Sequence, residues 1–293
     1  MVLPGQHQQQ HRFPLRATPP LVLGSVFAFV SSAYLGFHVF RLSSLPSPDP
    51  SIKDPLRQRV SAKFASTAEV YSSIADSYDS DIGWDEWFMG LDRRRRSVAA
   101  KLKGNVIETA AGTGRNLRFI AENKDNIQAL TLTDASPHML ERAFDTFKTY
   151  KDLPPTKFSL LDLSPHQPPS TSNPTPIIPP TLESKFDTVL DTFGLCSYHN
   201  PTQSLENMLK LCKPNGQLIL LEHGRSVHPI EFISSWINDA LDKTAQSHAN
   251  RWGCWWNRDL ETIIRNIKGL QIESVKRYHF GTTIEIIARK VDE

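Results

Sequence analysis

The sequence predicts an α/β domain built on a doubly wound, mostly parallel sheet that ends in an antiparallel hairpin. Three observations predict it. Helical and strand-like stretches alternate from residue 66 onward, a glycine-containing turn closes the first strand, and two extended stretches meet at Gly281 with no room for a helix between them.

The elements follow in order. Apolar spacing predicts helices over 66–79 and 85–102. NVIET (105–109) is the first strand, followed by the turn and a helix over 115–123. QALTLT (128–133) is the second strand. Ser136 then suits an N-cap, with Pro137 at the first helical position and an amphipathic run to Tyr150. Residues 156–161 form the third strand and FDTVLD (186–191) the fourth. A helix over 201–212 leads to the fifth strand, GQLILLE (216–222), and 271–280 with 282–290 make the hairpin.

The chain has 293 residues, 39% of them hydrophobic and 22% charged, enough for one α/β domain with an N-terminal extension. Its net charge of +2, from 33 basic and 31 acidic residues, gives no strong nucleic-acid signal. Cys196, Cys212 and Cys254 are far apart and form no CxxC, so their spacing predicts neither a disulfide framework nor a metal site.

The N-terminal part differs from the rest. Residues 1–20, with Arg12 and Arg16 and no acid, form a basic targeting-like segment. Residues 21–42 are predicted as a transmembrane helix, because the apolar run over 21–40 would reach roughly 30 Å at about 1.5 Å per residue. The apolar region of a secretory signal usually spans only about 7–15 residues. Residues 43–65 read as a Pro-rich linker and 66–293 as the domain, with an exposed Pro-rich loop insertion over 165–181. The membrane is therefore an expected partner. Basic residues on both sides of the run leave its orientation open.

The site signal lies in ETAAGTGRN (108–116), where a strand turns into a helix. Gly112 and Gly114 let backbone approach a ligand, and Ala110 stands where a dinucleotide-binding turn usually has a third glycine. Glu108, Asp134 and Asp162 end three successive strands. An acid some twenty residues beyond the turn can accept hydrogen bonds from ribose hydroxyls.

With TLTDASPHMLERA, FDTVLDTFGLCS and LKLCKPNGQLILLEHG, this segment resembles the class I methyltransferases related to the ubiquinone/menaquinone C-methyltransferases. The likeness extends to membrane-anchored methyltransferase-like proteins of the fungal mitochondrial inner membrane, through NRWGCWWNRDLETII. It implies a Rossmann-like class I methyltransferase fold from about Ser66 onward and S-adenosyl-L-methionine as cofactor. It implies that Glu108 holds the methionine end, that Gly112 and Gly114 pass beneath the cofactor, and that Asp134 binds ribose. Ser136 and Met139 would flank the adenine, with Asp162 and Leu163 at its edge. Asp191 and Thr192 would lie near the methyl, Tyr71 and Tyr78 would close over it, and Asn116 and Ala135 complete the set. A mitochondrial inner membrane is the expected location, with the endoplasmic reticulum as the alternative.

A sulfonium methyl needs orientation more than covalent help, worth about 7–11 kcal/mol of barrier. The catalytic candidates are His223, His199 and Asp191; a histidine serves as base where the acceptor must lose a proton. The acceptor is expected to be a small, lipid-like molecule. Asp-Thr-Phe-Gly after the fourth strand lacks the Pro-Pro motif of nucleobase amino methyltransferases. A nicotinamide oxidoreductase is disfavoured by the two-glycine turn and the hairpin. The other reading is a methyltransferase-like scaffold without turnover, serving assembly or RNA stability at a membrane, on the ground of Ala110. Arg93–Arg96 reads as a solvated helix, and Trp252, Trp255 and Trp256 as core, lid or lipophilic pocket.

Overall fold

The computed structural model describes residues 37, 40–48, 50–165 and 177–291. The chain divides into two compact units, one ending at Pro46 and one starting at Ser47. In the first, residues 40–43 are helical. The predicted helix over 21–42 lies almost wholly outside the described residues, and no helix among those described is long and apolar enough to cross a membrane.

The second unit carries strands β1 (Gly104–Glu108), β2 (Ile127–Asp134), β3 (Thr156–Leu160), β4 (Phe186–Thr192), β5 (Cys212–His223), β6 (Leu270–Tyr278) and β7 (Thr283–Lys290). Its helices are α1 (Thr67–Ile74), α2 (Tyr78–Phe88), α3 (Leu91–Ala99), α4 (Leu117–Glu122), α5 (Pro137–Lys148), α6 (Pro201–Leu211), α7 (Glu231–Trp252) and α8 (Leu260–Arg265). The sheet order is β3-β2-β1-β4-β5-β7-β6. The first five strands are parallel, with Val106 opposite both Leu130 and Thr188. β7 runs antiparallel to β5 and β6, as the hairpin reading expects. Strand order reverses at β1, so β1 and β4 part their following loops there. That switch point is where open α/β sheets bind ligands.

Along β5, Leu218 and Leu220 face one core and Ile219 and Leu221 the other. A strand buried on both faces reads as a continuous apolar run, which is why this one is legible. Ser136 caps α5 by accepting the Met139 N–H at 3.1 Å, as predicted.

Four expectations are corrected. The helix over 66–79 is broken at 75–77, and that over 85–102 at Gly90, whose φ of +64° lies in the left-handed region that only glycine enters cheaply. The segment read as linker packs on the domain: Ile52 is buried against Ala245 and Ala249, and Gln58 is buried with its Nε2 on Ile52 O at 2.8 Å. Of the Pro-rich insertion, 166–176 lie outside the described residues, and Ile178 at its end is a buried core residue rather than exposed loop. Helix α7 is absent from the sequence reading. Its buried face is Asp242, Ala245 and Ala249, too small and polar to produce a clear apolar period.

Candidate functional site

A pocket opens at the carboxyl ends of β1, β2 and β4. Of the predicted residues, Tyr71, Tyr78, Ala110, Gly112, Asp134, Ala135, Met139, Asp162, Thr192 and His199 line it. Glu108, Gly114, Asn116, Ser136, Leu163, Asp191 and His223 are not among the residues that line it.

The turn after β1 explains the glycines. Gly112 has φ +55°, and a Cβ there would meet no atom within 4 Å, so its backbone lies open to the pocket. Gly114 serves packing instead: at φ +82°, an added Cβ would fall 2.8 Å from Leu117 and 3.3 Å from Ala143 Cα. Asp134 accepts the Gly112 N–H and the Ser136 N–H, both at 2.8 Å, which fixes its carboxylate on the pocket side of the turn. Burial pushes its pKa up to about 6, against three backbone hydrogen bonds that pull it down. Asp162 caps its own turn by accepting the Ser164 N–H at 2.9 Å, and burial raises its pKa as well.

Ala110 lies beside Gly194. A Cβ on Gly194 would stand 2.5 Å from the Ala110 Cβ. The extra methyl of Ala110 is therefore turned toward a position kept bare by glycine.

Behind the pocket runs a buried polar chain. Arg95 Nη2 donates to Glu86 Oε1 at 2.8 Å, while its Nη1 donates to Asn116 Oδ1 and Thr192 Oγ1, each at 3.2 Å. Asn116 Nδ2 in turn donates to Glu108 Oε1 at 2.6 Å. Burial pushes the Glu86 carboxyl up, but Arg95 and Arg115 outweigh it and hold Glu86 below its ordinary range. Glu108 has only Asn116 and the more distant Arg95 to help it, so burial takes its pKa up to about 8. Its Oε2 has no hydrogen-bond partner among the described residues.

Asp191 is fully buried and does not line the pocket. It accepts from Thr109 Oγ1 at 2.6 Å, from Tyr198 Oη at 3.0 Å, and from the Gly194 and Leu195 N–H groups at 3.0 Å. That binds the end of β1 to the loop after β4. Of the two histidine candidates, His199 lines the pocket. His223 stacks on Phe193 at 4.4 Å between ring centroids, off the wall.

Sequence reasoning missed several residues. Arg95 belongs to the run read as solvated, yet it is buried and lines the pocket; Arg93 and Arg96 are exposed. The signal was available, because Leu91, Arg95 and Val98 share one helical face. Gln58 and Arg258 also line the pocket and are joined through Arg258 Nε to Gln58 Oε1 at 2.8 Å. Burial lowers the Arg258 pKa to about 10. Nothing local foretells this pair, which lies two hundred positions apart. Trp255 is buried and lines the pocket, Trp252 packs edge-on to Tyr78 and Trp256 stacks on His248. Tyr71, pinned by its hydroxyl to Ser197 Oγ at 2.9 Å, and Tyr78 close the pocket from the N-terminal helices. The three cysteines are free and buried, and the structure adds that Cys196 and Cys254 meet, with Sγ atoms 3.0 Å apart, while Cys212 lies elsewhere in the core.

Comparison with known proteins agrees with this geometry. Residues 107–218 match the family described as "Methyltransferase domain". Over 231 residues the chain is 33% identical to "Methyltransferase OMS1, mitochondrial" of Saccharomyces cerevisiae, covering 76% of this chain and 46% of OMS1. It is 28% identical over 181 residues to the ubiquinone/menaquinone biosynthesis C-methyltransferase UbiE of Bordetella parapertussis, covering 59% of this chain and 63% of that one. The chain thus spans less than two thirds of the length of these relatives. A chain of the solved complex between the Haloferax volcanii Trm112 methyltransferase activator and a putative methyltransferase shares the fold. Its TM-score is 0.53 at 15% identity, and the match covers 76% of this chain and 98% of that one. Sheet topology, turn geometry and these matches agree: the chain carries a class I, S-adenosylmethionine-dependent methyltransferase domain.

Proposed function

We propose that this domain methylates a small, lipophilic acceptor at a mitochondrial membrane, to which the apolar run over 21–40 anchors the chain. The observation that carries the cofactor half is the Gly112–Asp134 contact on the pocket wall: open backbone beside a carboxylate, at the switch point of the sheet. The residues present fit S-adenosylmethionine. Asp134 would hold the ribose, Met139 and Asp162 the adenine side, and Ala110 and Thr192 the methionine side. The bound cofactor supplies an electrophilic methyl on a positive sulfur.

The chain's own residues orient and dry the site. Tyr71, Tyr78 and Trp255 wall it with aromatic surface, which suits an apolar acceptor and excludes water. Asp191 holds the β1 and β4 ends in fixed relation. Where the acceptor must lose a proton, His199 is the pocket-lining group that takes it. The membrane half draws on the likeness to a mitochondrial methyltransferase and on exposed aromatics. Trp84, Trp87 and Phe88 on α2 are more than two-thirds exposed. His279 Nε2 contacts Met89 O at 2.8 Å, bringing exposed Phe280 beside them. The amphipathic indoles of Trp84 and Trp87 suit a bilayer interface, with the apolar phenyl rings beside them.

The test is calorimetry of S-adenosylhomocysteine binding to the full chain, with Asp134→Asn. Loss of a charged acceptor should weaken binding about 10- to 100-fold. Unchanged affinity overturns the cofactor assignment. Transfer of labelled methyl to a mitochondrial lipid extract by the wild type, and not by Asp134→Asn, tests the acceptor class. Binding without transfer to any fraction would favour a scaffold.

A further inference from the structure

We propose that Cys196, His223 and Cys254 form a binding site for one zinc ion. The three come from separate elements: the loop after β4, the end of β5, and the turn after α7. The two thiols are buried and the imidazole is half-buried. Their donor atoms all lie within 4.8 Å of one another, with Cys254 Sγ 3.7 Å from His223 Nδ1 and 3.0 Å from Cys196 Sγ. No other group of this kind occurs among the described residues.

The chemistry and geometry suit zinc. Tetrahedral bonds of about 2.3 Å to sulfur and 2.0–2.1 Å to nitrogen place a sulfur and a nitrogen about 3.5 Å apart and two sulfurs about 3.8 Å apart. The Cys254–His223 separation already fits, and the sulfurs need to part by under about 1 Å. A disulfide would need them at about 2.05 Å and would give the imidazole no role. The imidazole is already aimed at the thiols, with its ring against Phe193 and Nδ1 toward Cys254. The segments are also held together without metal, since Trp255 N–H donates to Cys196 O at 3.0 Å.

Charge decides in favour of a divalent ion. Zinc displaces one proton from each thiol, so the complex of one Zn²⁺ with two thiolates and a neutral imidazole is uncharged and suits a buried place. Three protein ligands leave one tetrahedral position open, as in catalytic zinc sites. Ser197, 3.6 Å from Cys196 Sγ and on the pocket wall, joins the cluster to the cofactor pocket. This assignment stands apart from the acceptor reading and does not need it.

The experiment uses the purified full chain, stripped with chelator and titrated with zinc chloride alone. Expected are about one zinc per chain and about two protons released per zinc. Cobalt in place of zinc should show thiolate-to-metal charge-transfer absorption. His223→Gln and Cys254→Ser should weaken zinc binding at least tenfold, while Cys212→Ser, in the other buried thiol, should bind like the wild type. Absence of stoichiometric zinc in the wild-type chain would overturn the proposal. So would binding indifferent to both ligand variants, or a peptide map linking Cys196 to Cys254 with the mass of a pair of hydrogens missing.

Discussion

The two flanks of the sheet solve the same problem differently. On the β1–β2–β3 side, the two strand-end carboxylates of the pocket meet partners a few positions away or on the next strand: Asp134 with Gly112 and Ser136, Asp162 with Ser164. On the β4–β5 side, partners arrive from across the chain: Arg95 with Thr192, Arg258 with Gln58, Cys196 with Cys254 and Glu222 with the Cys196 N–H. The first flank is a backbone device and depends on glycine and caps. The second is a buried side-chain network, in which an unpartnered charge costs far more.

The comparison can be broken at the network first. Arg95→Met should cost about 3–5 kcal/mol, because the buried Glu86 carboxylate loses its closest cation and the Asn116 and Thr192 oxygens lose a buried donor. An unfolding free energy, read from urea titration, lowered by less than a tenth of that would put Arg95 outside the network.

Next is the pH response of Glu108. Its folded pKa of about 8 exceeds the ordinary 4.5, so the folded chain keeps a proton that the unfolded chain releases. The contribution is whole below pH 4.5, erodes as pH rises through about 8, and then levels off. The share lost is at most about 5 kcal/mol. Glu108→Gln should flatten its part of the melting-temperature fall between pH 5 and 9, roughly the window those two values set; a curve parallel to the wild type would refute this.

Third, Gly194→Ala should cost about 1–3 kcal/mol by overpacking. Its new methyl would meet Ala110 Cβ and Asp191 Oδ1, each at 2.5 Å. Ala110→Gly should recover part of that loss, read as a double-mutant cycle. Additivity would mean the two positions do not share space.

Smallest is the cap. Ser136→Ala should cost about 1 kcal/mol, through the lost Met139 contact. It should leave the zinc stoichiometry untouched, since the cap belongs to the opposite flank.

The same contrast accounts for what was legible. The strand and turn pattern, Asp134, Asp162 and the hairpin follow from period, caps and strand ends, which are local, while Met139 came from the family resemblance. Arg95 was readable in principle from the spacing of Leu91, Arg95 and Val98, but the four-arginine run masked it. Helix α7 left little trace because it packs through alanines and a buried Asp242. The segment 50–61 looked like linker because prolines dominate its approach, while its docking rests on Ile52 and Gln58 meeting residues near 245 and 257.

By itself the sequence determined a parallel sheet with a nucleoside-sized turn at its switch point. Hydrophobic period, glycine conformation and N-caps act within a few residues of one another. Only the tertiary structure decided which histidine lines the pocket, that the Ala110 methyl faces Gly194, and that two cysteines and His223 converge. Those facts depend on where separate elements come to rest against each other. Packing sets that, and no local pattern encodes it.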